Sequence, residues 1–236
     1  MGRGKRYDAA REKIDRDQTY GLSEAVALLK ESATAKFDEG GDIAVRLGVD
    51  PRQPDQAIRG TVDLPHGTGK TSRVIAFADG EQAREALEAG AVAAGDDDLV
   101  ERVAGGWLEF DAAVATPQMM PRISRPLGRV LGPRGLMPNP RAGTIGTELG
   151  NLVRAIQGGR IDFRVDRASI VHAPVGRASF SEDQLVENVR TVVDTLVRAR
   201  PASAKGQYLR TVALSPTMGP GVRVDPSAFA AAAAVG

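Results

Sequence analysis

The spacing of apolar residues changes twice along this chain, and the change limits how it can fold. Near both ends apolar residues alternate with polar ones, as in DIAVRLGV (42–49) and RIDFRVD (160–166). Such alternation is typical of strands with one buried face. In the middle, SRVIAFA (72–78) and AAVAT (112–116) are nearly continuous apolar runs, which indicate strands buried on both faces of a parallel sheet. The ends and the middle therefore predict two different kinds of sheet.

Helical patterns separate these strands. One covering helix is predicted near each end, at SEAVALLKES (23–32) and after Phe180, where Ser181 and Gln184 have the spacing of a capping box. Shorter helices are predicted in the middle, at EQAREALEAG (81–90), DDDLVERVAGG (96–106) and TELGNLVRAIQ (147–157). Strands that alternate with helices favour a small α/β layer for this middle part.

These patterns predict a discontinuous outer domain, residues 1–66 and 160–236, with residues 67–159 inserted into it. Glycine marks both places where the chain passes between the two. The first crossing contains Pro65, Gly67 and Gly69, and the second contains Gly158 and Gly159. Because glycine accommodates large changes of backbone dihedral angles, these crossings are predicted to form a hinge.

Composition excludes several kinds of site. The chain has no cysteine, so disulfides, thiolate metal sites and cysteine nucleophiles are impossible, and its two histidines are too few for a His-rich zinc site. We expect neither a metal nor a cofactor. No apolar run approaches the roughly 20 residues that span a bilayer, and no apolar stretch follows the basic N-terminus. The expectation is a cytoplasmic protein with no membrane partner.

Charge is distributed unevenly although the net charge is only +1. Residues 112–147 contain no acidic residue and five arginines, and residues 195–224 again contain no acidic residue and several basic ones. A basic stretch is often only a solvated loop, but two such stretches in one near-neutral chain favour a polyanionic partner such as a nucleic acid.

The segment LPHGTGKT (64–71) ends like a phosphate-binding loop. A P-loop has another glycine five residues before Gly69, where this chain has Leu64, and it leads directly into a helix. Here the following residues predict a strand. A nucleotide-binding hydrolase that uses residues 66–71 is therefore the alternative function, and it is disfavoured.

Two other segments are open to two interpretations. Phe37 lies between Lys36 and acidic residues in a predicted loop, and Met218 lies in a turn flanked by prolines. Each side chain could fill the core, as large apolar residues usually do, or form a surface on which a nucleic acid packs. Composition alone does not decide between them.

The order of longer motifs adds a resemblance. Several motifs follow one another along the chain, namely KFDE, LGVDPR, RGTVDLPHGTGK, FDAAVATP, LGRVLGPRGLMPNP, GRIDFRVD, HAPVG and TMGP. The resemblance that they carry extends from about Lys5 to Asp225. In this order they resemble the family of bacterial ribosomal large-subunit protein one, the L-one stalk protein. LGRVLGPRGLMPNP and TMGP are the most specific of these motifs. In that family LPHGTGK leads from one domain into the other and binds no nucleotide.

The resemblance implies an α+β split-βαβ sandwich as outer domain, with an inserted α/β Rossmann-like three-layer domain. It also implies a non-catalytic constituent of the large ribosomal subunit, monomeric when free. Its partners would be the mobile stalk of large-subunit ribosomal RNA near the tRNA exit site, the exit-site tRNA whose release it assists, and its own mRNA, whose translation it represses.

Transferred motif by motif, the family's main RNA contact falls on the outer domain. Lysine and arginine would neutralise phosphate, threonine would bond 2′-hydroxyls, and Phe37 with Met218 would form an apolar platform. The implied residues are Lys36, Phe37, Glu39, Arg164, Asp166, His172, Thr211, Thr217, Met218 and Gly219. A weaker second RNA contact in the inserted domain would use Arg129, Arg134 and Arg141.

The chain departs from the family pattern at three positions near this contact. Gly40 replaces the hydroxyl residue that usually follows KFDE, and Pro216 and Gly221 replace hydroxyl residues around TMGP. Loss of these hydroxyls is expected to weaken RNA binding, and repression of the chain's own mRNA in particular.

Overall fold

The computed structural model describes residues 4–229, except for the side chain of Arg141. Within that range the strands are Gly40–Leu47 (β1), Arg59–Asp63 (β2), Val74–Phe77 (β3), Ala93–Gly95 (β4), Ala112–Ala115 (β5), Arg160–Arg164 (β6), Ile170–Arg177 (β7), Leu209–Pro216 (β8) and Val222–Val224 (β9). The α-helices are Lys5–Glu12 (α1), Leu22–Ser32 (α2), Gly80–Glu88 (α3), Asp97–Ala104 (α4), Met120–Leu131 (α5), Leu149–Gln157 (α6) and Glu182–Arg198 (α7). No helix among the described residues has both the length and the apolar character to cross a membrane.

The chain divides into two compact units. An outer unit comprises the chain up to Gly69 and from Ile161 onward, and an inserted unit comprises Lys70–Arg160.

The outer unit is built on a four-stranded sheet with the order β7-β1-β8-β9, and β2 pairs with β6 in a separate two-stranded sheet. Strands β7 and β8 flank β1 in antiparallel orientation. Alternate residues of β1, including Ile43, Val45 and Leu47, are fully buried. They share one apolar core with helices α2 and α7, so these helices cover one face of the four-stranded sheet. The side chains of the other face point away from this core.

Helix α7 begins as the sequence predicts. Ser181 accepts a hydrogen bond from the backbone N–H of Gln184, whose side chain in turn accepts one from the N–H of Ser181. The reciprocal pair satisfies two N–H groups that the first turn of a helix otherwise leaves without partners. This capping box is confirmed, and it fixes the position at which α7 starts.

The inserted unit contains a three-stranded parallel sheet with the order β4-β3-β5. Ile75 and Phe77 of β3 pack on one side against α4 and α5, whereas Val74 and Ala76 pack on the other side against α3 and α6. Both faces of β3 are therefore buried, which explains why SRVIAFA is apolar at almost every position. The predicted parallel sheet and the mixed α/β class are confirmed.

Two helices were not predicted, α1 and α5. Helix α5 extends to Leu131 in spite of Pro126 within it, and GPRG (132–135) directly after it is irregular. Ile123, Leu127 and Leu131 recur every four residues and are fully buried, so packing on the sheet outweighs the lost backbone hydrogen bond. The short strand β4 was also missed, because its sequence AAG carries no strand preference.

Candidate nucleic-acid interface

The uncovered face of the four-stranded sheet forms a polar surface, called here the open face. Strand register brings its side chains together across the sheet. Ala44 of β1 pairs with His172 of β7 and Ala213 of β8, and Ala213 pairs in turn with Arg223 of β9. The members of the open face are Asp42, Ala44, Arg46, His172, Pro174, Thr211, Ala213, Ser215 and Arg223. His172 and Arg223 thus lie at the two ends of a row of four residues, with Ala44 and Ala213 between them.

Charge on the open face is mixed. Arg46 pairs with Thr211 across β1 and β8, and both are exposed. Asp42 is the acidic residue of the open face. Partial burial raises the pKa of its carboxyl, and the nearby His172 lowers this pKa by a smaller amount. Arg46, Ser215 and Arg223 were not among the predicted site residues. The alternation in DIAVRL identifies Arg46 as outward-facing, but only the strand register shows that it neighbours Thr211.

Two large apolar side chains lie beyond the end of β1 and are exposed. Phe37 is 55% exposed and Met218 is 51% exposed, among the highest values for large apolar residues in the described part of the chain. Neither side chain therefore fills the core, and the nucleic-acid surface remains the prediction for both. Exposure of large apolar side chains beside a polar surface costs free energy in the isolated protein and is typical of a binding site.

Glu39 joins the two segments that carry these side chains. It is only 1% exposed, and its Oε1 accepts a hydrogen bond from the N–H of Ala35 at 2.7 Å while its Oε2 accepts one from the N–H of Met218 at 2.8 Å. One carboxylate thus ties the loop that carries Phe37 to the turn that carries Met218. The direct RNA contact expected for Glu39 is replaced by a positioning role, because the carboxylate is buried and already accepts from two backbone groups.

Thr217 is also engaged within the protein. Its Oγ1 accepts from the N–H of Gly40 at 3.0 Å and donates to the carbonyl oxygen of Gly40 at 3.2 Å. Its own N–H donates to the same carbonyl at 3.0 Å. Since the hydroxyl hydrogen is used internally, the exposed Thr217 can only accept a further hydrogen bond, for example from a 2′-hydroxyl.

Neighbouring atoms of the protein leave no room for a side chain at Gly219. A Cβ at this position would lie 2.5 Å from Cγ of Pro216 and 3.1 Å from the carbonyl oxygen of Ser32. The close approach at Gly219 is therefore made by the protein itself. Gly40 has more space, because a Cβ there would lie at an ordinary distance of 3.4 Å from Oγ1 of Thr217.

The remaining residues implied for the main contact are exposed, namely Lys36, Arg164, Asp166, His172 and Thr211. Asp166 has a local role too: its Oδ1 accepts from the N–H groups of Ala168 and Ile170, both at 2.8 Å, and so shapes the turn before β7. Its Oδ2 lies 3.8 Å from Nε2 of His172, which links this turn to the open face.

The loop that resembles a P-loop is organised differently from a nucleotide site. Nζ of Lys70 lies 2.7 Å from Oδ1 of Asp111, and Nε of Arg73 lies 3.1 Å from Oδ2. These two cations hold the pKa of Asp111 far below its ordinary value. Gly69 leads toward strand β3, with no helix whose N-terminus could hold phosphate. Lys70 thus serves an ion pair inside the inserted unit.

In the inserted unit, Arg129 on α5 and Arg134 beyond it are exposed, whereas the side chain of Arg141 lies outside the described part of the structure. Arg129 lies in the last turn of α5, and Arg134 follows this helix in a segment rich in glycine and proline. Among the described residues, no group of acidic or histidine side chains is arranged to hold a metal ion.

Comparison with known proteins agrees with the sequence motifs. The sequence model of the Ribosomal protein L1p/L10e family matches residues 29–220. Three relatives are named "Large ribosomal subunit protein uL1". That of Cutibacterium acnes is 54% identical over 228 residues, 97% of this chain and 98% of its own length. That of Thermobifida fusca is 54% identical over 233 residues, 99% of each chain, and that of Lactobacillus acidophilus is 52% identical over 223 residues, 94% and 96% of the two chains.

Proposed function

Because this chain belongs to the Ribosomal protein L1p/L10e family, we propose that it is a structural constituent of the large ribosomal subunit that binds the mobile stalk of large-subunit RNA through the open face and the adjoining Phe37 and Met218. The observation that carries the proposal is the paired exposure of Phe37 and Met218, held together by the buried carboxylate of Glu39. The ribosome of the cytoplasm is the place of action that follows from this family.

Three kinds of group support RNA as the ligand. Lys36, Arg46 and Arg223 offer positive charge to phosphates. Phe37 offers a ring on which an unstacked base can pack, which is how proteins commonly read folded RNA. Thr211 and Thr217 offer hydroxyl oxygens to 2′-hydroxyls, the groups that distinguish RNA from DNA. Glu39 acts beneath this surface by fixing its geometry.

The finer parts of the proposal concern the partners near the stalk. We infer that the protein assists release of deacylated tRNA from the exit site and binds a stalk-like element in its own mRNA. The exposed Arg129 and Arg134 would supply a second, weaker RNA contact from the inserted unit. Gly40 offers no hydroxyl to RNA, and Pro216 packs beneath Gly219, so repression of the mRNA would be weaker than in relatives that have hydroxyl residues there.

Binding to a synthetic stalk RNA fragment tests the proposal. Replacing Phe37 by alanine removes the stacking surface, which is worth about 1–3 kcal/mol per base, so we expect the Kd to rise by about 5- to 150-fold. Met218→Ala should weaken binding in the same direction by a smaller factor. Both side chains are exposed, so the stability of the fold should hardly change.

Leu87→Ala is the matched control. Leu87 is 47% exposed, lies on α3 of the inserted unit and is not among the residues implied in RNA binding. Its replacement should leave the Kd unchanged. Equal affinity of the parent, Phe37→Ala and Met218→Ala proteins would overturn the assignment of the site, and equal affinity of the parent for the RNA fragment and its deoxy version would overturn the assignment of RNA as the ligand.

A further inference from the structure

We propose that a cleft lined by four arginines in the outer unit binds a second run of RNA phosphates beside the open face, so that Arg52, Arg59 and Arg167 extend the contact that the resemblance implies for Arg164. The cleft encloses about 690 Å³, with Arg52, Arg59, Arg164 and Arg167 around an apolar floor that includes Ile58 and Val165. It is called here the arginine cleft. The proposal rests on the RNA-binding function proposed above and adds a second contact to it.

The arginine cleft carries unbalanced positive charge. All four arginines are exposed, and none of them forms an ion pair with any described residue. The one carboxylate in the lining, that of Asp166, already accepts two backbone N–H groups through Oδ1 and lies near His172 through Oδ2. Four guanidinium groups around one engaged carboxylate create a field that attracts a polyanion.

The walls of the cleft are held by local hydrogen bonds. In the loop between β1 and β2, Oε1 of the buried Gln56 accepts from the N–H of Asp50 at 2.8 Å, and Oδ1 of Asp50 accepts from the N–H of Arg52 at 3.1 Å. Across the floor, the N–H of Val165 donates to the carbonyl oxygen of Ile58 at 2.9 Å. The arginines therefore project from a backbone that is ordered before any ligand binds, which lowers the entropic cost of binding.

The lining favours a sugar–phosphate backbone over a free nucleotide. No aromatic side chain lines the cleft in the described part of the chain, so nothing there stacks on a base. Guanidinium groups bind phosphate through paired N–H donors regardless of base sequence. Asp166 and His172 connect the cleft to the open face. A folded RNA that lies on the open face could thus place a second part of its backbone in the cleft.

The salt dependence of binding to the stalk RNA fragment tests this inference. The double variant Arg52→Gln, Arg59→Gln removes two phosphate contacts but no part of the open face. The plot of log Kd against log salt concentration should become shallower by about 1.5, since each neutralised phosphate contributes roughly 0.7 to 0.9 to the slope. Phe37→Ala should raise the Kd and leave the slope unchanged, because it removes no charge.

The control is the double variant Arg84→Gln, Arg190→Gln, which loses the same charge from exposed positions on α3 and α7. Its slope should equal that of the parent. Suppose that the Arg52→Gln, Arg59→Gln protein also keeps the parent slope while Phe37→Ala weakens binding. The proposal that RNA binds in the arginine cleft is then overturned, and the proposal that RNA binds at the open face is retained. No binding of the parent to the fragment would overturn both.

A small phosphate compound is the other ligand that the four arginines could bind in place of RNA. Titrations with pyrophosphate and with GTP in about 150 mM salt distinguish it, since the proposed cleft should bind both only weakly under such screening. Micromolar binding of either compound to the parent but not to the double variant, together with an unchanged RNA slope, would overturn the inference in favour of a small-molecule site.

Discussion

At the scale of single residues, Glu39 shows how a charged side chain can shape a binding surface without reaching it. Sequence alone suggests an exposed carboxylate, because Glu39 follows Asp38 and precedes two glycines. The structure buries it between two segments that are far apart along the chain. A buried carboxylate that accepts two N–H groups contributes stability only while both hydrogen bonds are present.

Glu39→Gln should therefore destabilise the outer unit and loosen the site together. The amide keeps one acceptor oxygen but turns an NH₂ group toward a backbone N–H, so we expect the free energy of unfolding to fall by about 1–3 kcal/mol. Denaturant titration measures this change, and the Kd for the stalk RNA fragment should rise in the folded variant. Glu31→Gln, at a side chain 60% exposed and paired with Lys13, should change neither quantity. Unaltered stability of Glu39→Gln would contradict the positioning role.

The residues of the candidate site differ in how far sequence predicts them. Motif resemblance indicated Lys36, Phe37, Thr211 and Met218, and the structure places all four at the surface. Resemblance does not separate a side chain that contacts a ligand from one that supports it, because both belong to the same motif. Burial and hydrogen bonding make that separation for Glu39, and the internal contacts of Gly219 give it a packing role.

At the scale of elements, periodicity predicted strands and helices well where one face is buried and failed where packing overrides local preference. The alternation in β1 and the continuous apolar run of β3 correspond to one-sided and two-sided burial. Helix α5 was missed because Pro126 and the following glycines indicate a loop. Its buried residues Ile123, Leu127 and Leu131 do have helical spacing, but the gain from burying them is apparent only once the sheet beneath is known.

The ion pairs of Asp111 belong to the element scale, since they join the segment before β3 to the start of β5. Lys70 and Arg73 keep the pKa of Asp111 low, so the folded protein holds this carboxylate charged more strongly than the unfolded chain does. The stabilisation is therefore complete above the ordinary pKa of 3.8 and is lost as the pH falls through the lower pKa of the folded state.

Asp111→Asn should destabilise the inserted unit by about 1 kcal/mol at pH 7, because both cations are partly exposed and solvent screens the pairs. The difference from the parent should begin to shrink as the pH falls below 3.8 and should go on shrinking toward the lower pKa of the folded state. Trp107, the chain's single tryptophan, lies in the inserted unit, so its fluorescence reports unfolding there. Glu109→Gln, at an exposed acid with no ion pair to a described residue, is the control. A difference that stays constant as the pH falls below 3.8 would show that the effect is not electrostatic.

At the scale of the whole molecule, the sequence indicates two kinds of sheet and a chain that passes twice between them, but not where each crossing is fixed. Gly67 and Gly69 have φ angles of 66° and 69°, in the left-handed region that favours glycine. A Cβ on Gly69 would lie 2.6 Å from Cγ of Arg177 and 3.0 Å from the ring of Phe180. The first crossing is thus packed onto the outer unit as far as Gly69, a tertiary contact that no local pattern reveals.

Asn188 of α7 holds this crossing in place. The side chain is fully buried; its Oδ1 accepts from the N–H of His66 at 3.2 Å, and its Nδ2 donates to the carbonyl oxygens of Gly67 at 3.0 Å and Val175 at 2.8 Å. We therefore infer that bending at the first crossing, if the proposed hinge operates, begins after Gly69. Pro65 and Gly67 would then belong to the fixed side.

Asn188→Ala tests this assignment. It leaves three backbone groups without their partner, so we expect the outer unit to lose about 2–3 kcal/mol of stability, and the His66 amide to exchange hydrogen faster than amides of the buried strand β1. Hydrogen exchange read by mass spectrometry measures both regions in one experiment.

Asn151→Ala, at an exposed asparagine of the inserted unit, should leave the exchange at His66 unchanged. If His66 stays equally protected in Asn188→Ala, Asn188 is not what fixes the crossing. The close packing of Gly69 against Arg177 and Phe180 would then be sufficient to keep the bending point after Gly69. If instead the parent protein already exchanges rapidly at His66, the crossing is not fixed, and Pro65 and Gly67 return to the moving side of the hinge.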